Sequence, residues 1–97
     1  MDIKLKNFGV TLISRQLGKD AYSAQSNFLH TIKADERVSV DFADVNTFSP
    51  SWGDEFLSPL YQQFGERLIL KNISNPSVVA TIKILEETNQ IKFKIGQ

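Results

Sequence analysis

"RVSVDFADVNTFSPSWGDEF", residues 37–56, holds the passage from a strand into a helix on which the fold turns. Val38, Val40 and Phe42 fall on one face of an extended segment, with Ser39, Asp41 and Ala43 on the other, the period of two that a strand imposes. Beyond the junction the period changes. Trp52, Phe56, Leu60 and Phe64 recur at every fourth position, widened by Leu57, as the apolar stripe of a helix. Pro50 suits the first helical position, where its missing N–H is not needed, and Gly65 is a stop signal. Ser51 reads as the cap of this helix, accepting from the N–H near Asp54 while Asp54 reaches back in a loose capping box. Asp54 and Glu55 complement the positive end of the helix dipole.

Working outward, "DIKLKNFGVTL" alternates Ile3 and Leu5 with Lys4 and Lys6, as one long strand or as two short ones bent at Asn7 to Gly9. In "ISRQLGKDAYSAQSNFLHTIKAD", Leu17, Ala21, Ala24, Phe28 and Ile32 step by three or four, which predicts a helix buried on that stripe. Ser14 is its expected N-cap, and Gly18 weakens its first turn by about 1 kcal/mol relative to Ala. "RLILKNI" is a short apolar strand. Asn75 and Pro76 open a third helix that faces inward through Ile82 and Leu85 with either Val78 or Val79. "IKFKI" closes the chain with Ile91, Phe93 and Ile95 on one face. Strands alternating with helices imply a largely parallel α/β sheet with right-handed crossovers. No repeat, low-complexity tract or linker interrupts residues 1–97, which read as one domain.

The chain has 11 basic and 11 acidic residues and no cysteine. A formal charge of zero removes the electrostatic argument for a nucleic-acid or anionic-membrane partner. Without cysteine there is neither disulfide nor thiol chemistry. "MDIKLKNFGV" lacks the features of a signal or transit peptide, and no apolar run reaches the ~20 residues of a membrane span, so a cytoplasmic location is expected. Catalytic patterns are missing as well. His30 stands alone, off the apolar stripe of its helix, and reads as a surface residue. The five glycines form no phosphate loop. Asp54–Glu55 and Glu86–Glu87 are adjacent pairs, which diverge by about 100° on a helix and do not converge on a substrate. No metal site and no cofactor are expected. Asp41, within a core strand, needs a partner, for which Arg15, Arg37 and Lys71 are the candidates. Trp52 is either a core residue or an exposed anchor for a partner.

"VSVDFADV" carries an Asp and a Val four positions later, and "FSPSWGDEF" a serine followed by an aromatic, a small residue and an acidic pair. "LILKNISNPSVVATIKILEE" follows as strand, Asn-rich turn and helix, and "LISRQLG" supplies an upstream Ser-Arg element. In these features the chain resembles the STAS domain of bacterial anti-sigma-factor antagonists, and more closely the STAS-like domains of unassigned function in prokaryotes. The resemblance implies a mixed sheet of four or five strands with helices mainly on one face. It also implies a non-enzymatic regulatory module that docks a partner protein. In the antagonists that partner is a kinase of the histidine-kinase-like ATPase fold, which phosphorylates a serine at the start of this helix and is thereby released. Alignment through Asp41 and Val45 sets Ser51 on that serine, with Ser49 on the family's Asp and Trp52 on its Gly. The expected docking surface is Phe48, Ser49, Ser51, Trp52, Asp54 and Glu55, with Ser51 as the site of modification. The alternative is a small-anion or nucleotide sensor in which Ser49, Ser51 and Asn75 donate from helix N-termini. A free edge strand, "IKLK" or "IKFKI", leaves the chain a monomer or a weak dimer, because the lysines on both discourage pairing.

Overall fold

The computed structural model describes residues 1–96. Strand β1 (Asp2–Lys4) ends in a 3₁₀ turn at Leu5–Phe8, and β2 (Thr11–Leu12) follows, so the opening segment is two short strands. Then come α1 (Arg15–Leu29), β3 (Val38–Asp41), β4 (Thr47–Phe48), α2 (Pro50–Phe64), β5 (Leu68–Lys71), α3 (Pro76–Asn89) and β6 (Lys94–Ile95). The main sheet has the order β1-β3-β5-β6 and is parallel throughout. β2 and β4 form a separate parallel ladder, with Thr11 beside Thr47 and Leu12 beside Phe48. This is an α/β fold, and β1 and β6 are the edge strands of its main sheet.

The register explains which face the helices cover. Ile3, Val40 and Leu70 form one cross-strand row, Val38 and Leu68 another, and all five are buried. Their neighbours along the strands, Asp2, Lys4, Ser39, Asp41 and Lys71, point the other way and keep access to solvent. The described residues therefore leave one face of the sheet open, and its polar groups bond to one another. Ser39 Oγ donates to Asp2 at 2.6 Å, and Lys71 pairs with the same carboxylate at 3.2 Å. Asp41 accepts from Asn72 Nδ2 at 2.7 Å and from the Ala43 N–H at 2.9 Å. Its partner is thus Asn72, which takes a left-handed backbone (φ 58°) just beyond β5, rather than any of the cations expected from sequence. The Asn72 hydrogen bond, then the Ala43 N–H, holds the Asp41 carboxyl below the usual Asp range. The Ser39 hydroxyl, and after it Lys71, does the same for Asp2.

On the covered side α2 is the central helix, packed against α1 and α3 with the sheet behind it. The predicted α2 stripe is its buried stripe: Trp52, Phe56, Leu57, Leu60 and Phe64. Trp52 stacks on Phe56 at 5.0 Å and meets Phe48 edge-on at 5.9 Å, and Phe48 in turn meets Phe42 at 5.0 Å. The helix runs through Pro59, so the Glu55 carbonyl loses the N–H that would normally satisfy it. In α3 it is Val78, with Ile82 and Leu85, that faces inward.

Two sequence expectations are corrected. On α1 the buried residues are Gly18, Ala21 and Leu29, while Leu17 and Phe28 are 61% and 57% exposed. Ala21 is buried as expected, but the inner positions toward either end of the helix are Gly18 and Leu29, each one residue on from Leu17 and Phe28. Gly18 is the reason. A Cβ there would stand 2.6 Å from the Trp52 carbonyl oxygen and 2.9 Å from its Cα, so only glycine lets the two helices touch at this point. Glycine carries no weight in an apolar periodicity, and the larger Leu17 and Phe28 outvoted it. In the last segment Phe93 is buried but Ile95, on the edge strand, is 48% exposed.

Candidate functional site

The junction at the start of α2 is held by its own cap, by the segment ahead of α1 and by α3. Ser49, not Ser51, is its N-cap: the Ser49 hydroxyl accepts from the Trp52 N–H at 3.2 Å. Pro50 fixes this outcome, because a proline at the first helical position places the cap one residue before it. The same hydroxyl donates to the Ile13 carbonyl at 2.9 Å, and the Ser49 N–H donates to the Leu12 carbonyl at 2.9 Å. These bonds tie the α2 start to the segment that opens α1. From α3, the Ser77 hydroxyl accepts from the Phe48 N–H at 3.0 Å, and the buried Thr81 hydroxyl donates to the Phe48 carbonyl at 2.5 Å.

Of the residues expected to form a docking surface, two are withdrawn by burial. Phe48 and Trp52 are each 1% exposed, inside the aromatic core, so neither can meet a partner while the domain is folded. Ser51, Asp54 and Glu55 remain half-exposed at the surface. Ser51 lies in the first turn with its hydroxyl in no hydrogen bond to the described residues. Asp54 does not reach back to a cap; it accepts from the Ser58 hydroxyl at 2.9 Å.

Arg15 completes the site, at the first position of α1. Its guanidinium donates to Glu55 at 2.7 Å and to Asp54 at 3.4 Å, spanning the two helix starts. The two carboxylates, Glu55 more than Asp54, hold the guanidinium proton more firmly than usual. All three side chains are substantially solvated, so the link orients groups more than it stabilises the fold. In the sequence Arg15 was a candidate partner for Asp41, on another part of the molecule. Ser14 to Gly18 and Ser49 to Gly53 share the pattern serine, two residues, apolar, glycine, but nothing in that pattern brings the two helix starts together.

The three groups considered for anion binding do not form one set of free donors. Pro50 has no N–H, and those of Trp52 and Gly53 already go to Ser49. Asn75 caps α3 with its oxygen, accepting from Ser77 at 2.7 Å and Val78 at 3.4 Å. Its amide donates to the carbonyls of Val45 and Asn46. His30 caps the end of α1 at the surface, away from these groups. Among the described residues no group of three or more His, Cys, Asp or Glu is placed to hold a metal ion. None of the described helices is long and apolar enough to cross a membrane.

Comparison with known proteins adds one finding. The family model for a STAS-like domain of unknown function matches residues 26–78, a little over half of the chain, from the end of α1 to the start of α3. Ser51, Asp54 and Glu55 lie inside that segment, and Arg15 lies before it. No curated protein and no solved structure matches the chain.

Proposed function

The chain belongs to the STAS-like domain family of unknown function, and from that premise we propose that it is a small regulatory module that binds a partner protein and catalyses no reaction of its own. The docking surface is the solvated part of the α2 start, Ser51 with Asp54 and Glu55, together with Arg15 from α1. The partner class is a histidine-kinase-like ATPase, in a cytoplasmic setting, as in the antagonists that the chain resembles. The observation that carries this reading is a division of labour between two serines. Ser49 does the structural work of the cap, so the half-exposed Ser51 hydroxyl is left for another purpose.

Phosphorylation of Ser51 is the gate. Ser51 and Glu55 are four residues apart on α2 and share a face, so a phosphate there lies beside the carboxylate that Arg15 holds. It adds about −1.5 to −2 charges and competes for the guanidinium, which binds phosphate bidentately. The outcome is a rearranged charge pattern on a surface whose backbone stays fixed. Partner capture by the wild type, Ser51→Ala and Ser51→Glu, with phosphoprotein mass spectrometry of cellular material, tests it. Capture by the first two and loss with Ser51→Glu is expected. Equal capture by all three, with no phosphate on the protein, rejects the gate.

A further inference from the structure

The main sheet ends at β6 on a backbone edge with hydrogen bonds still to make. Ile95 lies beside Leu70 in the parallel pairing with β5, and the Gly96 N–H donates to the Leu70 carbonyl at 2.7 Å. Alternation along the strand then turns the N–H and carbonyl of Ile95 away from β5, to the outside of the sheet. Among the described residues neither group has a partner. The Phe93 N–H, by contrast, is taken by the Glu86 carboxylate at 2.9 Å.

Between this edge and α3 runs a groove of about 170 Å³. Ile82 and Phe93, nearly buried, form its floor, and Val79 and the 48% exposed Ile95 form apolar walls. It is smaller than the ~300 Å³ or more of a small-molecule site and has room for one branched apolar side chain. Lys83 and Lys92 stand on its rim, and Lys94 lies on the other face of β6, in register with Ile69. All three lysines are exposed, and among the described residues none is within ion-pair distance of a carboxylate.

We infer that β6 is a docking edge for an extended segment of a partner protein in which apolar and acidic residues alternate. Added to the sheet as a further strand, the segment exchanges backbone hydrogen bonds with Ile95. On the helix side its apolar side chain enters the groove against Ile95 and Val79. On the open side its carboxylates come beside Lys94, and flanking acids meet Lys83 and Lys92 at the rim. The same charges decide against a second copy of the chain. Its edges are β1 and β6, in "DIKL" and "IKFKI", and each brings lysines toward Lys94. Asp2 of β1 is already held by Ser39 and Lys71. Lysines on an edge strand refuse a like-charged strand and admit an acidic one. The edge shares no residue with the α2 start and lies outside residues 26–78, so the inference stands apart from the function proposed above.

A heteronuclear NMR titration of the full chain tests it. The probe is a capped peptide of about six residues, the usual strand length, with glutamate alternating with valine. It is added to about 2 mM, because a single-strand contact belongs to the weak class of interfaces. Saturable shifts at Lys94 to Gly96 and slowed hydrogen exchange of the Ile95 amide are expected, with no shifts from the counterpart carrying lysine for glutamate. Ile95→Pro deletes the outward N–H without removing a bond of the sheet, a change that edge strands tolerate. It weakens peptide binding at least about fivefold with an unchanged far-UV circular dichroism spectrum. Lys94→Glu, which leaves the backbone alone, weakens binding about threefold. Absence of shifts at about 2 mM peptide overturns the proposal. So does equal binding of the lysine peptide, or binding that Ile95→Pro and Lys94→Glu both leave unchanged. A shift of the Ile95 amide with protein concentration alone also overturns it, and assigns the edge to a second copy.

Discussion

Ser14-Arg15-Gln16-Leu17-Gly18 at the start of α1 and Ser49-Pro50-Ser51-Trp52-Gly53 at the start of α2 are two versions of one local design. Each follows a two-residue strand of the same parallel ladder, and each serine caps the N–H three residues on, at 3.2 Å in both. The apolar residue at that position is 61% exposed in α1, as Leu17, and 1% exposed in α2, as Trp52. Position in the layer makes the difference. α2 has a helix on either side and the sheet behind it, so its first turn points into the core. α1 is an outer helix that touches α2 through its glycine, and its apolar neighbour is turned to solvent. Identical capping chemistry starts a helix without deciding which way the helix faces.

The sharpest contrast comes from truncating the two apolar residues. Trp52→Ala empties a fully buried aromatic site and is expected to cost about 3–5 kcal/mol, whereas Leu17→Ala stays within about 0.5 kcal/mol of wild type in dilute solution. Urea unfolding midpoints measure both. A loss of several kcal/mol from Leu17→Ala would mean that α1 packs on the stripe read from sequence after all.

The glycines give the next largest effect. Gly18→Ala drives a methyl into the backbone of Trp52, which cannot retreat without moving α2. A net loss of about 1–3 kcal/mol is expected even after the ~1 kcal/mol gain in helix propensity. At Gly53 the new methyl meets the ends of side chains, Phe48 at 2.9 Å and Leu85 at 3.0 Å. Gly53→Ala should accordingly stay within about 1 kcal/mol of wild type, because those tips shift by a few tenths of an ångström while the alanine favours the helix. Reversal of that order in thermal or urea melts would place the tight contact elsewhere.

Acid titration of the sheet's open face carries the smallest effect. The lowered carboxyls of the sheet are Asp2 and Asp41, at its open face. A depressed folded-state value stabilises the protein above the unfolded value, about 3.9 for Asp, and that contribution disappears as pH falls through the folded value. Asn72→Ala removes the main cause of the Asp41 shift and should cost about 1 kcal/mol at neutral pH. The gap between variant and wild type then narrows as the pH is taken below about 4. A gap that holds constant down to pH ~2 would show that Asn72 acts only through its left-handed backbone.

Most of the element order was legible because it rests on local rules. The alternation of Val38 to Phe42, the Asn75-Pro76 start of α3 and the Gly65 stop after α2 each follow from a few neighbouring residues. The cap of α2 was legible too, since Pro50 at the first position points to Ser49, but the capping-box spacing from Ser51 to Asp54 pointed too far along the chain. The candidate site was readable only in part. Ser51, Asp54 and Glu55 are at the surface as expected, but Phe48 and Trp52 are core, and Arg15 joins from another helix. An ion pair between residues forty positions apart leaves no periodic trace.

Sequence alone determined the class of fold, the alternation of strands with helices and the buried stripe of α2, whose large apolar side chains have one consistent place to go. Tertiary structure decided which face of α1 is buried and which half of the α2 start meets solvent. Both depend on a backbone contact between Gly18 and Trp52. A residue that acts by having no side chain adds nothing to a hydrophobic pattern, and its effect exists only where two helices meet.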